Sequence, residues 1–149
     1  MIVAVDFDGT LCENRYPYAG LPNRHLLNVL RQLKNSGEIE LILWTCRTGE
    51  PLKFAVDWCR EQGIEFDAVN ENLPRIVEQF GGDNRKVFAN LYIDDMAMDF
   101  SMNTMDGLIN SEFTFGKDKY IESFIRDNIR EVSYGKSDCS DGVDQLHQS

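Results

Sequence analysis

A doubly wound α/β fold, a three-layer arrangement of a parallel sheet with helices on both faces, is what this sequence predicts. The first observation is a set of short β-branched runs without polar alternation, the pattern of strands buried on both faces. The second is that single stretches of helical spacing separate these runs, which implies βαβ units and hence a parallel sheet. The third is the punctuation: Gly, Pro and Asn fall where each element should start or stop.

Residues 2–6 (IVAVD) form the first such run. Gly9, Pro17, Gly20 and Pro22 break the chain after it. Leu26, Leu27, Leu30 and Leu33 then recur at helical spacing, with Asn23 as the N-cap and Gly37 as the stop. Residues 40–45 (ELILWT) read as a second buried strand. Thr48, Gly49, Glu50 and Pro51 open a helix to Gln62, with Phe54, Ala55 and Trp58 on its apolar face. Residues 66–70 (FDAVN) are a third, shorter strand, and Asn72, Leu73 and Pro74 begin a helix that Gly81 ends. A fourth strand is expected over residues 87–94 (VFANLYID), a weaker one near residues 107–110, and a closing helix over residues 117–130. The expected organisation is one domain over residues 1–132 and a flexible tail over residues 133–149, rich in Ser, Gly and Asp.

Composition narrows the function classes. A chain of 149 residues suits one domain, and 42% hydrophobic with 27% charged residues is ordinary for a soluble protein. No run is long enough to span a membrane, and a cytoplasmic location is the default expectation. A net charge of -10 disfavours nucleic acid, because each phosphate contact needs a cation. Cys12, Cys46, Cys59 and Cys139 form no C-x-x-C pair, so neither a zinc site nor a disulfide framework is expected.

In a parallel sheet the ligand binds beyond the carboxyl ends of the strands. Asp6, Asp8, Thr45, Asn70, Asp94 and Asp95 all lie at such ends, so they should converge on one rim. Clustered carboxylates repel one another strongly unless a cation intervenes. An all-oxygen donor set favours a hard ion, and Mg²⁺ is the usual choice where phosphate is also bound.

The motif Asp6-Phe7-Asp8-Gly9-Thr10 (DFDGT) resembles the first motif of the haloacid dehalogenase (HAD)-like phosphohydrolase superfamily. Thr45, ending LILWT, resembles the second motif, and Asp94-Asp95, ending NLYIDD, the fourth. The resemblance runs from Met1 to Asp99, with the motifs in order and each on its strand. It implies a Rossmann-like HAD core and a Mg²⁺-dependent phosphatase acting on a phosphate monoester. In that chemistry Asp6 is the nucleophile, forming an aspartyl-phosphate. Asp8 is the general acid and base, and its main-chain carbonyl binds the metal. Thr45 holds a phosphoryl oxygen, and Asp95, with Asp94 second, supplies the metal carboxylate.

The resemblance also calls for a cation facing the phosphoryl group. Arg75, in the first turn of the helix after the third strand, is the first choice. Lys86 is the runner-up, because it precedes a strand whose six or seven residues span roughly 20 Å. Lys53 is a weaker third. Arg47, Glu50, Asn70 and Asn72 are candidates to select the leaving group, Asp99 to support Asp95, and Tyr16 and Tyr18 to form a flap.

Neither interval between the motifs leaves room for an inserted cap domain, so a cap-less, open site is expected. A phosphorylated small molecule is the favoured substrate, with a nucleotide or polynucleotide end as the alternative, and a second copy of the chain could close the site. Two other classes compete: a receiver domain, disfavoured by Asn70 at the end of the third strand, and a non-catalytic phosphate-binding relative, disfavoured by the presence of Asp6 and Asp8.

Overall fold

The computed structural model describes residues 1–97 and Arg126. The strand expected near residues 107–110, Asp99, the domain boundary at residue 132 and the tail lie outside the described residues. So does the closing helix, apart from Arg126, which is helical.

The elements run β1 (Ile2–Val5), β2 (Cys12–Arg15), β3 (Tyr18–Pro22), α1 (Arg24–Asn35), β4 (Glu40–Leu43), α2 (Gly49–Glu61), β5 (Ala68–Val69), α3 (Pro74–Phe80) and β6 (Leu91–Ile93). Four strands form a parallel sheet in the order β5-β4-β1-β6, and β2 and β3 pair as an antiparallel hairpin. The chain steps outward from β1 to β4 to β5, then returns through α3 to the other flank of β1. The order therefore reverses between β1 and β6, and a crevice opens at such a reversal.

Alternation along the central strands divides the core. Val3, Val5, Phe7, Leu41 and Leu43 pack with Leu26, Leu30 and Leu33 of α1 and with Ala55 and Cys59 of α2. Ile2, Ala4 and Ile42 face the other way, against Leu73, Val87 and Ile76 of α3. Helices thus cover both faces, and β1 is buried along its whole length. The architecture is α/β and compatible with a Rossmann-like fold. No helix among the described residues is long and apolar enough to cross a membrane.

Local chemistry explains the boundaries. The Asn23 side chain accepts from the Leu26 amide at 3.2 Å, capping α1, and donates to the Thr10 carbonyl at 3.2 Å. Gly81 ends α3 in the left-handed conformation, φ 74°, where a Cβ would be strained. The last strand departs from expectation. Pairing with β1 opens only at Asn90, whose amide donates to the Ile2 carbonyl, and β6 covers Leu91–Ile93 rather than residues 87–94. Asn72 is the reason: its buried side chain accepts from the Phe88 amide at 2.6 Å and donates to Asp83 and the Asn84 carbonyl. Those bonds hold the preceding segment as a loop beside the end of β5.

Asn23→Ala removes a cap and the tie to the Thr10 carbonyl together. Chemical denaturation should give a loss of about 1–2 kcal/mol in unfolding free energy.

Candidate metal and phosphate site

Asp6 follows β1 and Asp94 and Asp95 follow β6, so the two strands flanking the reversal deliver them to one place. One carboxylate oxygen from each of Asp6, Asp94 and Asp95 lies within 4.8 Å of the others. The Asp6 amide donates to the Ile93 carbonyl at 2.9 Å, carrying the ladder one step past the named strands. The Asp95 amide donates to Thr10 Oγ1 at 2.9 Å, and Thr10 is itself buried. Gly9 completes the cradle. Its φ is +84°, and a Cβ there would lie 2.1 Å from Asp95 Oδ2. Only glycine lets that carboxylate approach this turn.

Partial burial pushes the Asp6 carboxyl up to about 6; the Phe7 amide opposes this, and the charges of Asp94, Asp95 and Asp8 add to it. An array of oxygen donors that repel one another suits a hard divalent cation, and the observed donor set fits Mg²⁺.

Asp8 has a different environment. Arg47 Nε donates to its Oδ2 at 2.7 Å and Nη2 to its Oδ1 at 2.8 Å, a forked pair. Arg47 is 3% exposed, and its guanidinium lies 4.6 Å from the centre of the Phe7 ring. It also donates to the Pro17, Tyr18 and Pro51 carbonyls. The hydrogen bonds to Asp8 raise its pKa further above the usual arginine range.

Thr45 sits just past β4. Its amide donates to Asn70 Oδ1 at 2.8 Å, and its hydroxyl accepts from the Arg47 amide at 3.3 Å. Asn70 adopts φ 55° and donates to the Arg47 carbonyl, so it braces both residues of this turn.

No protein-family model matches the chain, and neither does any curated protein. A solved structure of the conserved protein coded by a locus from Bacteroides thetaiotaomicron is 35% identical to it, with a TM-score of 0.66. The match covers 85% of this chain and 90% of that one. The two proteins belong to one family.

In this family member Asp6, Asp94 and Asp95 come together as expected from the sequence, and Asp8 and Thr45 occupy the ends of the neighbouring segments. Arg75 goes elsewhere. Its guanidinium ion-pairs with Glu40, the first residue of β4, at the end of the sheet opposite Thr45. The four residues between Val69 and Pro74 carry the chain back over the sheet before α3 begins, burying Leu73 on the way. Arg75 therefore starts lower than a helix rising directly from a strand end, and its long side chain finds a carboxylate at the far edge.

Lys86 lies 5.3 Å from the centre of the Tyr92 ring, beside a cleft of about 430 Å³ lined also by Asn72, Phe80 and Phe88. Tyr92 packs on the same sheet face as Ala4, the face on which alternation places Asp6 and Asp94. Lys53 and Glu50 are exposed on α2, and Asn72 is the loop clasp already described. Tyr16 and Tyr18 lie at the exposed turn of the hairpin, where Tyr18 meets Phe54 edge-on and the Tyr16 ring faces Arg47. Sequence reasoning missed Thr10 as the support of Asp95 and Arg47 as the partner of Asp8. An arginine two residues beyond a buried strand's last Thr was the available signal.

Two outcomes follow. Because the folded Asp6 carboxyl titrates near 6 rather than its usual 3.8, its protonated form favours the fold. That contribution is complete below the usual value and is lost as pH rises through about 6. A divalent cation held by the triad would compete with that proton, so Mg²⁺ should raise the melting temperature more at pH 7.5 than at pH 5, and Asp6→Asn should erase the difference. Gly9→Ala should displace Asp95 and abolish Mg²⁺-induced stabilisation, read by the same thermal scans.

Proposed function

We propose that the protein is a cap-less HAD-like hydrolase that removes phosphate from a monoester with Mg²⁺, through an aspartyl-phosphate on Asp6. The observation that carries this reading is the convergence of Asp6, Asp94 and Asp95 at the β1–β6 reversal, with the DFDGT turn packed against it. A receiver-like or purely structural role does not require a glycine pressed onto one carboxylate of a triad. The connection from Asp8 to Thr45 consists of a hairpin, one helix and a strand, which supports an open site.

The chemistry proceeds in two displacements. An Asp6 oxygen attacks phosphorus as the bond to the ester oxygen breaks, and Asp8 gives that oxygen its proton. Water then attacks the phosphorus of the aspartyl-phosphate, Asp8 takes a proton from it, and Asp6 and inorganic phosphate are released. The Thr45 hydroxyl and the amides after it orient a phosphoryl oxygen. Mg²⁺, held by Asp6, the Asp8 carbonyl, Asp95 and Asp94, would offset the charge gathered on the carboxylates and the phosphoryl group.

The cation facing the phosphoryl group is assigned to Lys86. With Arg75 engaged by Glu40, Lys86 is the candidate on the sheet face shared by Asp6 and Asp94, and the loop clasped by Asn72 frees it from a long strand. The leaving group is a small molecule, in keeping with a net charge of -10.

Phosphate release from a panel of phosphorylated metabolites tests the reading. Activity should require Mg²⁺, vanish in excess chelator and vanish in Asp6→Asn; full activity in either case would reject the mechanism. Lys86→Ala should lower kcat on the order of 10²-fold. Arg75→Ala should leave kcat near wild type and shift stability by about 0.5 kcal/mol or less. The reverse ranking would return the role to Arg75.

A further inference from the structure

The guanidinium of Arg47 has five N–H donors, and every one is used. Two go to the carboxylate of Asp8, two to the Pro17 and Tyr18 carbonyls in the turn of the β2–β3 hairpin, and one to the Pro51 carbonyl in the first turn of α2. The bond to Pro51, at 3.2 Å, is the longest of the set. The hub is buried between the Phe7 ring and the Tyr16 ring, with centroids 4.6 and 5.3 Å away. A planar fork of fixed geometry transmits displacement between the groups it holds, which a flexible ammonium cannot do.

We infer that Arg47 is a positioning residue that locks the Asp8 carboxylate to the turn of the hairpin, so that one side chain sets both the flap and Asp8. The hairpin is suited to this part. It packs on α2 through the edge-on Tyr18–Phe54 contact, while Tyr16, Tyr18 and Leu21 are more than half exposed. Its two strands approach so closely at Gly20 that a Cβ there would lie 2.6 Å from the Glu13 Cβ. Any group that seats against its exposed rings therefore acts on Asp8 through Arg47. The catalytic consequence rests on the hydrolase reading above, but the mechanical link does not.

The test uses the full chain with Asp8→Ala, Arg47→Lys and the double variant. Hydrogen exchange read by mass spectrometry should speed up several-fold over residues 12–22 in Asp8→Ala, although Asp8 touches none of the hairpin carbonyls that Arg47 holds. Peptides of α1 should stay at wild-type rates. Hairpin exchange unchanged in Asp8→Ala would overturn the link, and that variant decides the question even if Arg47→Lys fails to fold. With Mg²⁺ and an alkyl phosphate, Arg47→Lys should lower kcat on the order of 10²-fold. It should lower kcat no further in the Asp8→Ala background, because residues acting as one unit are not additive. Equal losses in both backgrounds would mean that Arg47 acts independently of Asp8. A wild type that releases no phosphate defeats the hydrolase reading alone, since the exchange measurement still decides the link.

Discussion

Like charges collected at the ends of β1 and β6 set the terms for everything around them. Asp6, Asp8, Asp94 and Asp95 occupy one end of a sheet in a chain that already carries a net charge of -10. Among the described residues the four are treated unequally. Asp8 is matched by a buried arginine at hydrogen-bond distance. Asp6, Asp94 and Asp95 instead crowd together, and the half-buried member has its carboxyl pushed up to about 6. Burial and mutual repulsion are tolerable there only if a proton or a cation occupies the gap. This division leaves three carboxylates facing one another and ties the fourth to an arginine.

The loops that hold this arrangement are fastened mostly by asparagine. Asn23 joins the start of α1 to Thr10, Asn70 braces the turn at Thr45 and Arg47, Asn72 clasps the loop before β6, and Asn90 accepts from the Ile2 amide. An amide side chain donates and accepts at once without adding charge. Where Asn23 and Asn70 sit, beside the acidic rim, another carboxylate would raise the repulsion, and another cation would compete for Asp8.

Much of the fold was legible because it depends on local pattern. The apolar run before Asp6, the leucine spacing of α1, its Asn23 cap and the Gly81 stop each carry their structure within a few residues. The convergence of the acids was legible too, since parallel topology alone brings strand ends together. What sequence could not convey was pairing across long separations. Residues 87–94 have the composition of a strand, yet Asn72, sixteen residues before Phe88, withdraws the first half into a loop. Arg75 looked poised at a helix start, but its partner is Glu40, thirty-five residues away. Arg47 and Asp8 are thirty-nine apart, and the place of Arg47 just past Thr45 puts it near the rim without naming its partner.

The register of β6 on β1 has a consequence for how the chain becomes competent. The Asn90–Ile2 contact joins residues 88 apart, whereas the β2–β3 hairpin and α1 close over short stretches. Contacts of large sequence separation are repaid only after the loops between them have been ordered. The triad is assembled from both ends of that longest closure. A chain that has folded its hairpin, α1 and β4 but has not yet docked β6 already has Asp6 in place and lacks both of its companions. Gathering of the three carboxylates thus marks completion of the sheet.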